Sequence, residues 1–148
     1  MTNILNLATI LSVGLMIGSE FAVWVFINPV LWQLNEQACA EAVRAFARRL
    51  GKVMPFWYSG NFMLLLIEAF LLRGHAIGLL GTACGIWAAV IILTLIFLVP
   101  INNRLARPDA GLSRDQAHRQ HQRWDAMHRA RVVALGAAFV LLLLALRP

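Results

Sequence analysis

Glu20 and Glu68 are carboxylates set inside long apolar runs, IGSEFAVW and LLLIEAFLL. An acidic side chain at mid-membrane costs roughly 2.5–3.5 kcal/mol on insertion scales, so it is expected to face a protein interior and to have a task. A second set, His118, His121, Asp125 and His128, lies in RDQAHRQHQRWDAMHRAR, residues 114–131, which holds three of the four histidines and five arginines. At about 100° per residue these four side chains fall within roughly 80° of one helix face, spread over about 15 Å of helix axis. Histidine beside a carboxylate supports two chemistries. It can remove and return a proton, or it can hold a metal, for which His118, His121 and His128 are the candidate ligands. The H-x-x-H spacing is not specific for a metal. Asn102, Asn103 and Arg104, in LVPINNRLA, add amide and cationic donors suited to a ligand oxygen. Plainer readings stand beside these: protonated glutamates bonded to neighbouring helices, solvated histidines on a charged helix, and asparagines that cap a helix or bind lipid head groups.

The elements that position these residues are set by composition. The 148 residues are 60% hydrophobic and 14% charged, with a mean hydropathy of +0.71, which calls for lipid as the solvent. Apolar blocks predict spans at residues 4–27, 56–73, 77–99 and 127–146, the last lengthened by a turn of the polar run before it. The expected fold is all-α: a four-transmembrane-helix bundle in one integral membrane domain, residues 1–148, whose long fourth helix extends into the cytoplasm. The first block has neither a basic leading region nor a small-residue cleavage site, so it is expected to stay as a helix. Ala38, Ala42, Phe46 and Leu50 repeat at four-residue spacing, with Glu41, Arg44, Arg48 and Arg49 on the other side. This predicts an amphipathic interfacial helix at 36–51 between spans one and two. Gly51 is expected to end it and Pro55 to start the second span. Asn28-Pro29 and Pro100 are expected to stop or kink the first and third spans.

Charge orients the bundle. Of 13 basic residues, only Arg73 and Arg147 lie outside the first and third loops and their flanks. By the positive-inside rule those loops are cytoplasmic and both termini outside, in an inner (plasma) membrane of bacterial type. The net charge of +6 is then a matter of orientation and anionic lipid, with no need for nucleic acid. Cys39 and Cys84 are placed too far apart to pair and read as small apolar fillers. Gly14/Gly18 and Gly81/Gly85 are G-x-x-x-G pairs that serve bundle or homo-oligomer packing, and Trp32 and Trp57 suit interfacial belts.

Counted at helical rise, Glu20 lies about 10 Å and Glu68 about 18 Å from the cytoplasmic ends of their helices. Trp57, Asn61, Leu64 and Glu68 share one face, an inward polar stripe ending at Glu68. Asp125, His128 and Arg131 fall at the membrane boundary, where Asp125 and His128 are the better desolvated of the acid–histidine neighbours.

The order of Pro29, the amphipathic helix before Pro55, VPINNRLA and RWDAMHRAR resembles the anthrone-oxygenase-like family of small four-helix integral membrane proteins, over nearly the whole chain. Its most specific parts are Asn102 in its P-x-N-x-x-L context, Trp124, His128 and Arg131. Glu20, Glu68 and the His118/His121 run have no match in that pattern. The resemblance implies an oxygenase acting with dioxygen on an apolar aromatic, anthrone- or phenol-like substrate. A buried base, His128 polarised by Asp125 or else Glu68, would form a carbanion. Asn102 and Arg131 would hold the enolate oxygen, with Asn61 and Trp124 contacting substrate. No metal is obligatory in such chemistry. Two competing readings use the same residues. One is a membrane redox protein carrying iron, copper or haem, with His128 and Glu20 or Glu68 as ligands and a separate cytoplasmic site at His118 and His121. The other is a non-enzymatic transporter or accessory subunit whose acids relay protons, for which four spans are few.

Overall fold

A computed structural model describes residues 2–71, 75–105 and 114–147. Arg73, with the end of the expected second span, and Arg107, with the rest of 106–113, lie outside the described residues. The described chain is helical and contains no strand: α1 (Thr2–Ala22), a π turn (Val23–Ile27), α2 (Asn28–Leu31), α3 (Glu36–Leu71), α4 (His75–Leu93), a second π turn (Thr94–Leu98), α5 (Val99–Leu105) and α6 (Arg114–Ala145). These form four rods, each long and apolar enough to cross a membrane: Ile4–Leu31, Gln37–Leu71, Ala76–Leu105 and His118–Ala145. Around the bundle, α1 packs on α3 and α6, and α4 closes the ring between the same two helices. Val13, Met16, Leu65, Leu80, Trp87, Leu135 and Leu142 fill its centre.

Of the stop or kink expected at the prolines, the stop does not occur. Neither Pro29 nor Pro100 ends its span. A proline offers no N–H to the carbonyl four residues back, and its ring crowds that carbonyl. Here each rod carries a wider π turn beginning six residues before its proline, at Val23 and at Thr94. Both π turns carry a Phe three residues before the proline, Phe26 and Phe97. The helix therefore continues, with an altered face. At 100° per residue Asn28 would sit about 80° from Glu20, but a π turn takes back roughly that much, and both residues are buried.

The interfacial helix and the second span are also one element, because α3 runs unbroken through Gly51 and Pro55. The start of α3 agrees with expectation, because Asn35 caps it: its Oδ1 accepts the Ala38 N–H at 3.0 Å.

Lipid removes most of the hydrophobic drive for helices to pair, leaving close packing and hydrogen bonds between helices. Gly14 serves the first, since a Cβ there would sit 3.3 Å from Phe139 Cζ on α6; Gly18, Gly81 and Gly85 have nothing within 4 Å. Between α1 and α3, Ser12 donates to Asn61 Oδ1 at 2.6 Å, Trp57 Nε1 donates to Ser12 at 3.2 Å and Thr9 donates to Glu68 at 3.1 Å. Gly14→Leu is expected to cost about 1–3 kcal/mol by overpacking and Gly85→Leu less than about 0.5 kcal/mol, measured as unfolding in mixed micelles.

Candidate functional site

Glu20 comes first, because its charge must be answered. It is 3% exposed, in the middle of an apolar rod. Tyr58 of α3 donates its hydroxyl to Oε1 at 2.9 Å, and Arg131 of α6 donates Nη2–H to Oε2 at 2.6 Å. The Arg131 guanidinium also lies over the Tyr58 ring, 5.5 Å from its centroid. Three rods are thus tied to one carboxylate.

His128 completes the cluster. Its Nε2 lies 3.1 Å from the Glu20 backbone carbonyl, which can only accept, so Nε2 carries the proton. In the neutral imidazole that leaves Nδ1 as the acceptor, 3.0 Å from Arg131 Nη2, which can only donate. The Glu20 Oε2 atom is 3.2 Å from the same Nδ1. A proton arriving at Nδ1 therefore meets a carboxylate at ion-pair distance. Trp124 stacks on the imidazole at 4.8 Å and 8° between planes.

The expected partner of His128, Asp125, is engaged elsewhere. It accepts from Asn28 Nδ2 at 2.6 Å and pairs with Arg129 one turn along α6. The carboxylate beside His128 is Glu20, delivered from a different rod. Further out on α6, Trp32 stacks on His121 at 4.5 Å and meets His118 edge-on at 4.9 Å. Trp32 thus packs against the histidine run rather than standing as an isolated belt anchor.

These groups form the polar end of a partly open cavity of about 370 Å³. Glu20, Tyr58, His121, Trp124, His128 and Arg131 are on its wall, and most of the remainder is apolar, including Val23, Leu31, Met54, Ile91 and Leu98. Asn102 is on the wall too, donating one amide N–H to the Ala47 carbonyl at 3.3 Å. Its second amide N–H is a further donor. Two buried polar atoms of the lining have no hydrogen-bond partner among the described residues: Thr94 Oγ1 and Arg131 Nε. Thr82, earlier on the same rod, returns its hydroxyl to the Gly78 carbonyl at 2.9 Å. Thr94, at the start of the π turn, does not.

Not every expected residue converges here. Glu68 and Asn61 are buried, but in the α1–α3 seam with Thr9 and Ser12, and neither lines the cavity. Leu65, not Leu64, is the buried leucine of that stripe. The histidines weighed as metal ligands are spaced by rings, Trp32 between His118 and His121 and Trp124 between His121 and His128. Among the described residues no three His, Cys, Asp or Glu side chains gather around one point. The place a cation would take between Glu20 and His128 is filled by the Arg131 guanidinium, so this donor set does not fit a metal or haem iron.

Sequence reasoning missed Tyr58, Asn28 and Trp32. Tyr58 was legible, being one turn before Asn61 on the same stripe. Asn28 was not, because α-helical counting turns it away from Glu20 and only the π turn returns it.

The fold and the site define an integral membrane helical bundle with a buried carboxylate–guanidinium–imidazole cluster at the end of an apolar cavity. The family model for anthrone oxygenase matches residues 42–141, more than half of the chain. The chain belongs to the anthrone oxygenase family. No curated protein and no solved structure matches it. Tyr58, Asn102, His128 and Arg131 fall inside the matched stretch, and Glu20 falls before it.

Removing one partner of a buried ion pair strands the other charge. Glu20→Leu is expected to destabilise the bundle by about 3–5 kcal/mol, and the double variant Glu20→Leu/Arg131→Met to recover more than half of that loss. Unfolding of the three proteins in micelles measures it, and strictly additive losses would refute the pairing.

Proposed function

We propose that this protein is a membrane-embedded oxygenase that acts with dioxygen on an apolar aromatic, anthrone- or phenol-like substrate by base-assisted carbanion formation. One observation carries the reading: the Nδ1 of His128 stands beside a carboxylate and a guanidinium at the polar end of an apolar cavity.

The reaction balances as a ring CH₂ plus O₂ giving a ring C=O plus water. His128 Nδ1 takes a proton from the doubly benzylic carbon, and Glu20 Oε2 steadies the imidazolium that results. Arg131 holds the oxygen on which the enolate charge develops, and the second Asn102 N–H is a further donor on the cavity wall nearer its opening. Trp124 offers a flat apolar face to the rings. The carbanion attacks dioxygen, which concentrates in lipid, and the peroxide takes the proton back from His128 to give a hydroperoxide. His128 then removes the remaining hydrogen of that carbon as the O–O bond breaks, and the departing hydroxide leaves as water. Each proton has a carrier, and dioxygen is the sole oxidant. The positive-inside rule supports a cytoplasmic side for the basic first and third loops, and with them for the polar end of the cavity.

Purified protein in lipid nanodiscs, supplied with anthrone, is expected to consume dioxygen and form anthraquinone one for one. His128→Gln should lower the rate about 10²–10⁴-fold while the protein keeps its helical circular dichroism. If Glu68→Gln abolishes turnover and His128→Gln does not, the base is Glu68 and this reading fails.

A further inference from the structure

The cavity has a direction. Its lining residues on α1, the first π turn, α2 and α6 are buried or half-buried. Every lining residue that is exposed belongs to α3 or to the rod facing it: Phe46, Gly51, Pro55, Ser59, Leu95 and Asn103. The cavity therefore opens between these two rods, away from Glu20, His128 and Arg131. The Asn102–Ala47 hydrogen bond straps the opening, and a Cβ on Gly51 would lie 3.5 Å from the same Asn102 amide. On one side of the strap lie Phe46 and Asn103, toward the loops. On the other, Gly51, Pro55 and Ser59 face Leu95.

Ser59 and Leu95 of that second side lie inside the apolar stretches of two rods long enough to cross a membrane, Gln37–Leu71 and Ala76–Leu105, with Gly51 toward the basic residues Arg48, Arg49 and Lys52. Gly51, Pro55 and Ser59 follow at four-residue spacing and carry little bulk, framing a gap about 12 Å long at helical rise. The approach at the α2–α6 corner is filled, with Trp32 stacked over His121 and Trp124 over His128.

We propose that this gap is a lateral window through which a flat apolar ring compound passes edge-on from the bilayer hydrocarbon into the cavity, reaching Arg131 and His128 with its oxygen-bearing edge. The ligand class rests on the functional reading above; the window rests on geometry alone. A solute dissolved in lipid then enters without crossing a water layer, and a small-residue rim gives way to a ring where larger side chains would block it.

Two measurements in nanodiscs test this. The first needs no ligand. In a Cys39→Ser/Cys84→Ala background, Thr94→Cys places a thiol on the cavity wall. It should react with lipid-soluble N-phenylmaleimide, resist a charged, impermeant methanethiosulfonate, and be slowed by Ser59→Phe but not by Met63→Phe, an exposed position outside the lining. The second follows anthraquinone binding by quenching of tryptophan fluorescence. Ser59→Phe should slow association and dissociation together by about tenfold at nearly constant Kd, because a blocked door changes rates rather than the bound state. Faster attack by the charged reagent, or slowing by Asn103→Phe in place of Ser59→Phe, would move entry to the water interface and overturn the proposal. If the thiol results hold while anthraquinone does not bind, the window stands and the functional reading falls.

Discussion

Placing a carboxylate in a medium that cannot solvate it forces the surrounding protein to do so, and most of this bundle's specific architecture follows from that demand at Glu20. Its two oxygens are met by a phenol from α3 and a guanidinium from α6, and its own backbone carbonyl receives the imidazole of His128. Helices in lipid gain little from burying apolar faces against one another. Directional bonds of this kind therefore fix which faces meet. The cluster that holds the rods in register is the same cluster that lines the cavity, so stability and chemistry share their residues.

Two devices make the geometry possible. Proline in the first and third rods is accommodated by π turns, and each turn re-aims the segment after it. In the first rod this brings Asn28 to the buried face, where it binds Asp125; in the third, Thr94 and Leu98 of the π turn and Asn102 beyond it line the cavity. The second device is segregation. Polar groups of the α1–α3 seam pair among themselves, Ser12 with Asn61 and Thr9 with Glu68, and stay off the cavity wall, whose charged groups gather at one end. An apolar chamber with a single charged end orients a flat ligand that has one oxygenated edge. The ordered donors there need no rearrangement as charge develops.

The chain belongs to the anthrone oxygenase family, and most of the cavity's polar cluster falls within the stretch that shows it. The family match reports a sequence pattern from residue 42 onward. The geometry reports an imidazole held beside a guanidinium and a carboxylate, and the carboxylate, Glu20, precedes the matched stretch.

Composition and periodicity by themselves determined the all-helical bundle, its four rods and the buried face of α6, because lipid as a solvent leaves few alternatives to helices and because 3.6-residue spacing is read directly. His121, Asp125, His128 and Val132 were legible as one stripe for that reason. What the sequence could not supply was pairing between rods. Asp125 is three residues from His128 and Glu20 is more than a hundred away, yet Glu20 is the partner. Local spacing also broke α3 in two and left open whether the prolines stop or distort their rods, since a π turn has no period to detect. Only the tertiary structure separated Glu68 and Asn61 from Glu20: both carboxylates are equally conspicuous in an apolar run, and which helix stands opposite each decides whether it meets a cation beside a cavity or a hydroxyl in a closed seam.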